Sequence, residues 1–150
     1  MHAAVSPWPY HIYASDTIRD RRSTFLAHAS TLPSSSAFPA FLDHLSNLPV
    51  LKRATHCMYA YRTTNATDAT VATGQDDGGE SGSGDRLARL LELTGCESVV
   101  VVVSRWYGGV KLGSDRWKRI SDVAKDALQK GEFLKQQEQS MATRKKSKKR

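Results

Sequence analysis

At 150 residues with 39% hydrophobic side chains, the chain has material for one core of ordinary size and not for two. Its formal charge of +7 is unevenly placed: Arg144, Lys145, Lys146, Lys148, Lys149 and Arg150 supply six of the seven charges with no acid among them, so a nearly neutral domain precedes a basic tail. No apolar run reaches the roughly 20 residues that cross a bilayer, which excludes a membrane-spanning helix.

Compartment follows from the ends and the cysteines. The start MHAAVSPWPYHIYASD lacks a basic region followed by an unbroken apolar one, so it does not read as a secretory signal. Cys57 and Cys96 form no C-x-x-C pair and join no His/Cys cluster. The expectation is two buried, reduced thiols in a cytoplasmic protein, with no metal and no cofactor.

In chain order, residues 1–18 hold Pro7 and Pro9 among scattered aromatics and read as an irregular or partly extended lead-in. STFLAHAS, 23–30, alternates and is short, which predicts a strand. Serines then precede Phe38, Phe41, Leu42, Leu45 and Leu48 at helical spacing; Pro39 is tolerated in a first turn, and Pro49 marks the exit. ATHCMYAYRT, 54–63, predicts a strand, and ATDATVAT predicts its antiparallel return across Thr64 and Asn65. Gly74 to Gly84 reads as a glycine-rich acidic loop before a helix carrying Leu87, Leu90 and Leu91 and ending at Gly95.

Val99 to Val103 are five consecutive valines, the pattern of a strand buried on both faces. After Gly108 and Gly109, Ser114 is placed to cap a helix from Asp115 to about Lys130 that buries Trp117, Ile120, Val123, Ala124, Ala127 and Leu128. The order is β-α-β-β-α-β-α, an α+β domain with a mixed sheet backed by helices. Residues 135–150 have too little apolar surface to offset an ordering entropy of roughly 1–2 kcal/mol per residue, and read as a disordered basic tail with the composition of a nucleic-acid-binding or nuclear-import segment.

The motifs fail the usual catalytic templates. Gly79 to Gly84 has P-loop spacing but Asp85 where lysine belongs, and Gly82-Ser83-Gly84 lacks the last glycine of a dinucleotide fingerprint. Asp76, Asp77 and Glu80 do not follow the alternation of a calcium loop. Ser81 and Ser83 lie in a glycine run and not on a nucleophile elbow. His56 and Cys57 are neighbours on a strand and point to opposite faces, so they cannot pair, and His28 and His56 read first as structural histidines. What stays unabsorbed is SRWYGGVKLG. Two glycines permit a sharp exit from a buried strand, but Arg105, Trp106, Tyr107 and Lys111 add cationic and aromatic groups of the kind enriched where proteins bind partners.

DRRSTFLAHA (20–29), ATHCMYAYR (54–62), DDGGESGSGDRL (76–87) and VVVVVSRWYGGVKLGSDRWKRI (99–120) together resemble the IMPACT family, in its eukaryotic and fungal branch. The resemblance covers 19–134 and implies the fold shared by a small-subunit ribosomal protein and domain IV of the translocating elongation factor. It implies a non-enzymatic regulator of translation initiation under amino-acid starvation. Such a regulator competes with the starvation kinase for its ribosome-associated activator. Two departures accompany it: about twenty residues precede the first motif, so the RWD domain of full-length members is expected to be lacking, and the acidic motif reads Asp76-Asp77-Gly78-Gly79-Glu80, one glycine longer than the family's D-D-G-E.

The expected partner-binding surface is therefore His56, Asp76, Asp77, Glu80, Arg105, Trp106, Tyr107, Gly108, Gly109 and Lys111. Ribosome or RNA binding through Arg144, Lys145, Lys146, Lys148, Lys149 and Arg150 is the alternative, since each cation placed on phosphate adds salt-dependent affinity. An unrecognised enzyme is the third reading, and it requires Asp76, Asp77, Glu80, His56 and Arg105 to converge.

Overall fold

The computed structural model describes residues 8–134; the expectations for the basic tail, and for 1–7, lie outside them. Six strands form one sheet: β1 (Tyr13–Ala14), β2 (Ile18–Asp20), β3 (Ser23–Thr31), β4 (His56–Thr64), β5 (Val71–Asp76) and β6 (Val99–Trp106), with helices α1 (Phe38–Ser46), α2 (Ser83–Leu93) and α3 (Asp115–Lys130) between and after them. The order across the sheet is β1-β3-β6-β4-β5, and β2 lies beside β3. The α+β class is as the sequence implies. The sheet, however, is antiparallel at every described pairing and not mixed. The central strand, β6, lies between β3 and β4, both running opposite to it; the helical connections β3–α1–β4 and β5–α2–β6 each join strands of the same direction that are not neighbours, so no parallel pair forms.

The five valines are divided between two cores. Val99, Val101 and Val103 join Phe25, Ala27, Ala29, Met58 and Ala60 under α2 and α3, which contribute Leu87, Leu91, Ile120, Val123, Ala124, Ala127 and Leu128. Val100 and Val102 face the other way, against Leu32 and the α1 residues Phe38, Phe41 and Leu45. A strand covered on both faces has no polar side to alternate with, which is why it reads as an uninterrupted apolar run. Trp117, predicted to be buried, is only half-buried at the margin of the first core.

Three local readings change. The return from β4 is a six-residue loop, 65–70, in place of a two-residue turn: the Asn65 side chain accepts from the Thr67 amide and Asp68 from the Thr70 amide, and such local bonds compete with a tight hairpin. The first part of the glycine-rich segment is strand, because Gly74 leaves room for the ring of its cross-strand partner Tyr61, whose atoms a β-carbon there would approach to 2.4 Å. Cys57 is exposed while Cys96 is buried, so only one thiol is as expected.

At the far margin, β2 and β3 join through Arg21 and Arg22, both with positive φ (45° and 70°). This geometry is ordinarily reserved for Asn and Gly. Ion pairs hold it: Arg21 bonds Asp20 and Asp115, and Arg119 on α3 bonds Asp20.

Candidate functional site

Register builds the site. Antiparallel pairing sets Arg105 on β6 opposite Phe25 on β3 and opposite His56 on β4, so these three side chains form a row at one end of the sheet on the face covered by α2 and α3. Cys57 pairs with Ser104 one position along and therefore faces the other side, as the strand period requires. His56 and Cys57 are not a catalytic pair.

Glu80 comes to this row from the loop before α2. Gly78 and Gly79 both take positive φ and run so close to β4 that a β-carbon on Gly78 would stand 2.1 Å from the Cys57 carbonyl oxygen. Only glycine permits this path, and it delivers Glu80 into the interior, where it is 3% exposed. There Arg105, also 3% exposed, donates from Nη1 to Glu80 Oε2 at 2.8 Å, while its Nε and Nη2 donate to Ser23 Oγ at 3.3 and 3.1 Å. Arg116, from the first turn of α3, places Nη1 3.2 Å from Glu80 Oε1. His56 Nε2 lies 3.8 Å from Glu80 Oε2, and its Nδ1 donates to the Gly78 carbonyl at 3.1 Å. Each carboxylate oxygen thus has its own guanidinium, and Glu80 cannot turn to a substrate without breaking a charge-assisted bond.

The guanidinium of Arg105 lies 5.2 Å from the Phe25 ring centre and 5.3 Å from that of Tyr107, and the guanidinium of Arg116 lies 4.4 Å from that of Trp117. These contacts hold planar cations in place. Above the network opens a pocket of about 450 Å³ whose lining includes His56, Glu80, Arg105, Tyr107, Lys111 and Arg116. Its size is within the ordinary range of small-ligand pockets, about 300–1,000 Å³.

Five of the ten residues predicted for the surface therefore meet here. The other five do different work. Asp77 holds the start of α2: its carboxylate accepts from the amides of Gly82 and Gly84 at 3.1 and 2.8 Å, and its carbonyl from Ser83 Oγ. Asp76 accepts from the Gly78 amide. The convergence of five groups that an enzyme reading requires is thus met by His56, Glu80 and Arg105 and not by the two aspartates. Trp106 donates from its ring nitrogen to the Lys52 carbonyl, anchoring the strand end to the loop before β4. Gly108 lies against the β2–β3 turn, where a β-carbon would be 2.0 Å from the Arg22 carbonyl oxygen, and Gly109 turns the chain at φ 91°.

Sequence reasoning did not single out Ser23 and Arg116. Both lie in stretches that carry the resemblance, but nothing about a lone serine or one arginine among several in a helix distinguishes them before the register is known.

A family model for the Impact N-terminal domain matches residues 21–128. The chain belongs to this family. Protein IMPACT from Xenopus laevis is 37% identical over 138 residues, covering 92% of this chain and 44% of the relative, and a Protein IMPACT homolog from Saccharomyces cerevisiae is 38% identical over 120 residues, covering 80% and 46%. The chain thus spans less than half the length of these relatives. Among solved structures, the two-domain translational regulator Yih1 matches with a TM-score of 0.58 and 35% identity over 86% of this chain and half of that one. A hypothetical protein matches with a TM-score of 0.60 at 20% identity, over 83% of this chain and 61% of that one, a likeness of fold alone.

Proposed function

We propose that this IMPACT-family chain regulates translation in the cytoplasm by holding a protein partner and not by catalysis. The partner is the ribosome-associated activator of the amino-acid-starvation kinase, for which the chain competes with the kinase. The observation that carries this reading is the state of Glu80: a buried carboxylate clamped by Arg105 and Arg116 supports a shape, while Tyr107, Val110 and Lys111 around it are exposed. Aromatic and cationic side chains on a fixed frame suit protein recognition, and Yih1 is a translational regulator.

The test is to overproduce the chain in starved cells and measure phosphorylation of initiation factor 2. Phosphorylation is expected to fall, and to stay high with the Tyr107→Ala/Lys111→Glu double variant. Unchanged phosphorylation with no translation component co-purifying would overturn the reading. A second reading, ribosome or RNA binding, is favoured by the six cations of 144–150. Removing them is expected to abolish nuclease-sensitive capture of ribosomes if that reading holds.

A further inference from the structure

We infer that the pocket over Glu80 receives a phosphate monoester, such as a phosphoserine side chain on the partner; this rests on the reading of the face as a contact surface. The charge balance is the first ground. Arg105, Arg116 and Lys111 line the pocket with three positive charges against one carboxylate. Glu80 is matched by Arg105 at 2.8 Å. The charges of Arg116 and Lys111 remain, and a phosphate monoester carries about −1.5 to −2 at neutral pH, so a dianion fits and a single carboxylate leaves a cation unmatched.

Donor geometry is the second ground. Arg116 lines the pocket with its side chain 34% exposed and commits only Nη1 to Glu80 among the described residues. Its guanidinium is fixed by Glu80 on one side and by the Trp117 ring at 4.4 Å, so the donors that remain are presented in a set direction. Arg105 uses three of its five N–H groups on Glu80 and Ser23. Lys111 is exposed at the rim and adds a mobile ammonium.

The third ground is the backbone. Leu112 and Gly113, at the entry to α3, line the pocket; the amides of Asp115, Arg116 and Trp117 already donate to the Leu112, Gly113 and Ser114 carbonyls, so this 16-residue helix adds its macrodipole alone, which favours an anion at that end. The start of α2 contributes little, because the Asp77 carboxylate already takes its amides. Tyr107, 40% exposed beside the opening, supplies a surface for the chain that bears the phosphate.

The experiment titrates the full chain, isotope-labelled, with N-acetyl-phosphoserine amide, inorganic phosphate and N-acetyl-aspartate amide, following amide shifts. Saturable shifts at Gly79 to Ser81 and at Lys111 to Arg116 are expected with both phosphates, the tighter of the two telling a protein-borne ester from a free ion. The aspartate derivative is expected to bind at least tenfold more weakly. Lys111→Gln and Arg116→Gln should each weaken phosphate binding about tenfold, as loss of a charge-assisted bond does, while Lys130→Gln, whose ammonium pairs with Asp16 and Asp126, leaves it unchanged. Equal binding of aspartate, shifts confined to the basic tail, or no binding at all would overturn the proposal. If partner capture in cells still depended on Tyr107 in that event, the face would remain a contact surface that reads no phosphate.

Discussion

Replacing Glu80 with glutamine tests whether the site is a structural clamp. The substitution keeps volume and one acceptor but removes the carboxylate that pairs with Arg105 among the described residues. Arg105 is 3% exposed, so its charge is left largely buried with only neutral acceptors, Ser23 Oγ and the glutamine amide oxygen. Breaking a buried pair from one side costs about 3–5 kcal/mol, and the retained amide oxygen places glutamine near the lower end, about 3 kcal/mol. With a urea m-value of about 2 kcal/mol/M, the unfolding midpoint should drop by roughly 1.5 M, and the melting temperature by about 10 °C at roughly 2–4 °C per kcal/mol. Arg116→Gln is the control: its side chain is 34% exposed, so the loss should stay below about 1 kcal/mol. A Glu80→Leu/Arg105→Met pair, which removes both charges, should recover most of the loss. Equilibrium unfolding of the four proteins decides it. A Glu80→Gln loss under about 1 kcal/mol, or an apolar pair no more stable than the single variant, refutes the clamp.

The two glycines after β6 should fail for different reasons. Gly108→Ala drives a β-carbon into the Arg22 backbone and should cost about 2–3 kcal/mol as overpacking. Gly109→Ala meets no atom within 4 Å but must hold φ near 91°, costing about 1–2 kcal/mol, so thermal unfolding should rank the first below the second. Asp77→Ala removes the acceptor of two α2 amides and should cost about 1–2 kcal/mol by urea unfolding, against a few tenths for Asp76→Ala, which holds one turn amide. His28 is 4% exposed and burial pushes its pKa below the ordinary value of 6.5, so between that lowered value and 6.5 the unfolded chain binds the extra proton. Stability is therefore fully present above pH 6.5 and falls as the solution is acidified through that window, by up to about 1.4 kcal/mol per pH unit. Unfolding midpoints between pH 7 and 5 should show this slope, and His28→Gln should remove it.

The core was legible because its signals are local. Five valines announce a strand covered on both faces, and the spacing of Ile120, Val123, Ala124, Ala127 and Leu128 gives the buried stripe of α3 as observed. Hairpin detail was not, since Asn65 and Asp68 choose side-chain bonds over a tight turn and nothing in the strand pattern declares that. The antiparallel direction of the sheet was hidden for another reason: direction depends on how connections pack, not on which residues form strands. The site was half legible. His56, Glu80, Arg105, Tyr107 and Lys111 stand out by chemistry, but the division of labour between Asp77, which caps a helix, and Glu80, which is buried, depends on the backbone path that Gly78 and Gly79 allow.

That division accounts for the spacing of Asp77 and Glu80. An acid at the start of a helix and an acid in an ion pair need different positions, and the carbonyl and carboxylate of Asp77 already engage Glu80 N, Gly82, Ser83 and Gly84. With two left-handed glycines between them, Asp77 stays on the helix while Glu80 reaches Arg105. The end of β6 is fixed on its other sides as well: Trp106 bonds Lys52, the Tyr107 amide accepts no slack because it donates to Thr55 Oγ1 at 2.9 Å, and Gly108 abuts Arg22. A strand end held on three sides presents Tyr107 and Lys111 with little left to order on binding. The cost of immobilising a loop at an interface, about 0.5–1.5 kcal/mol for each rotamer-rich side chain, is thereby confined to the two side chains themselves, which favours the protein contact proposed for this face.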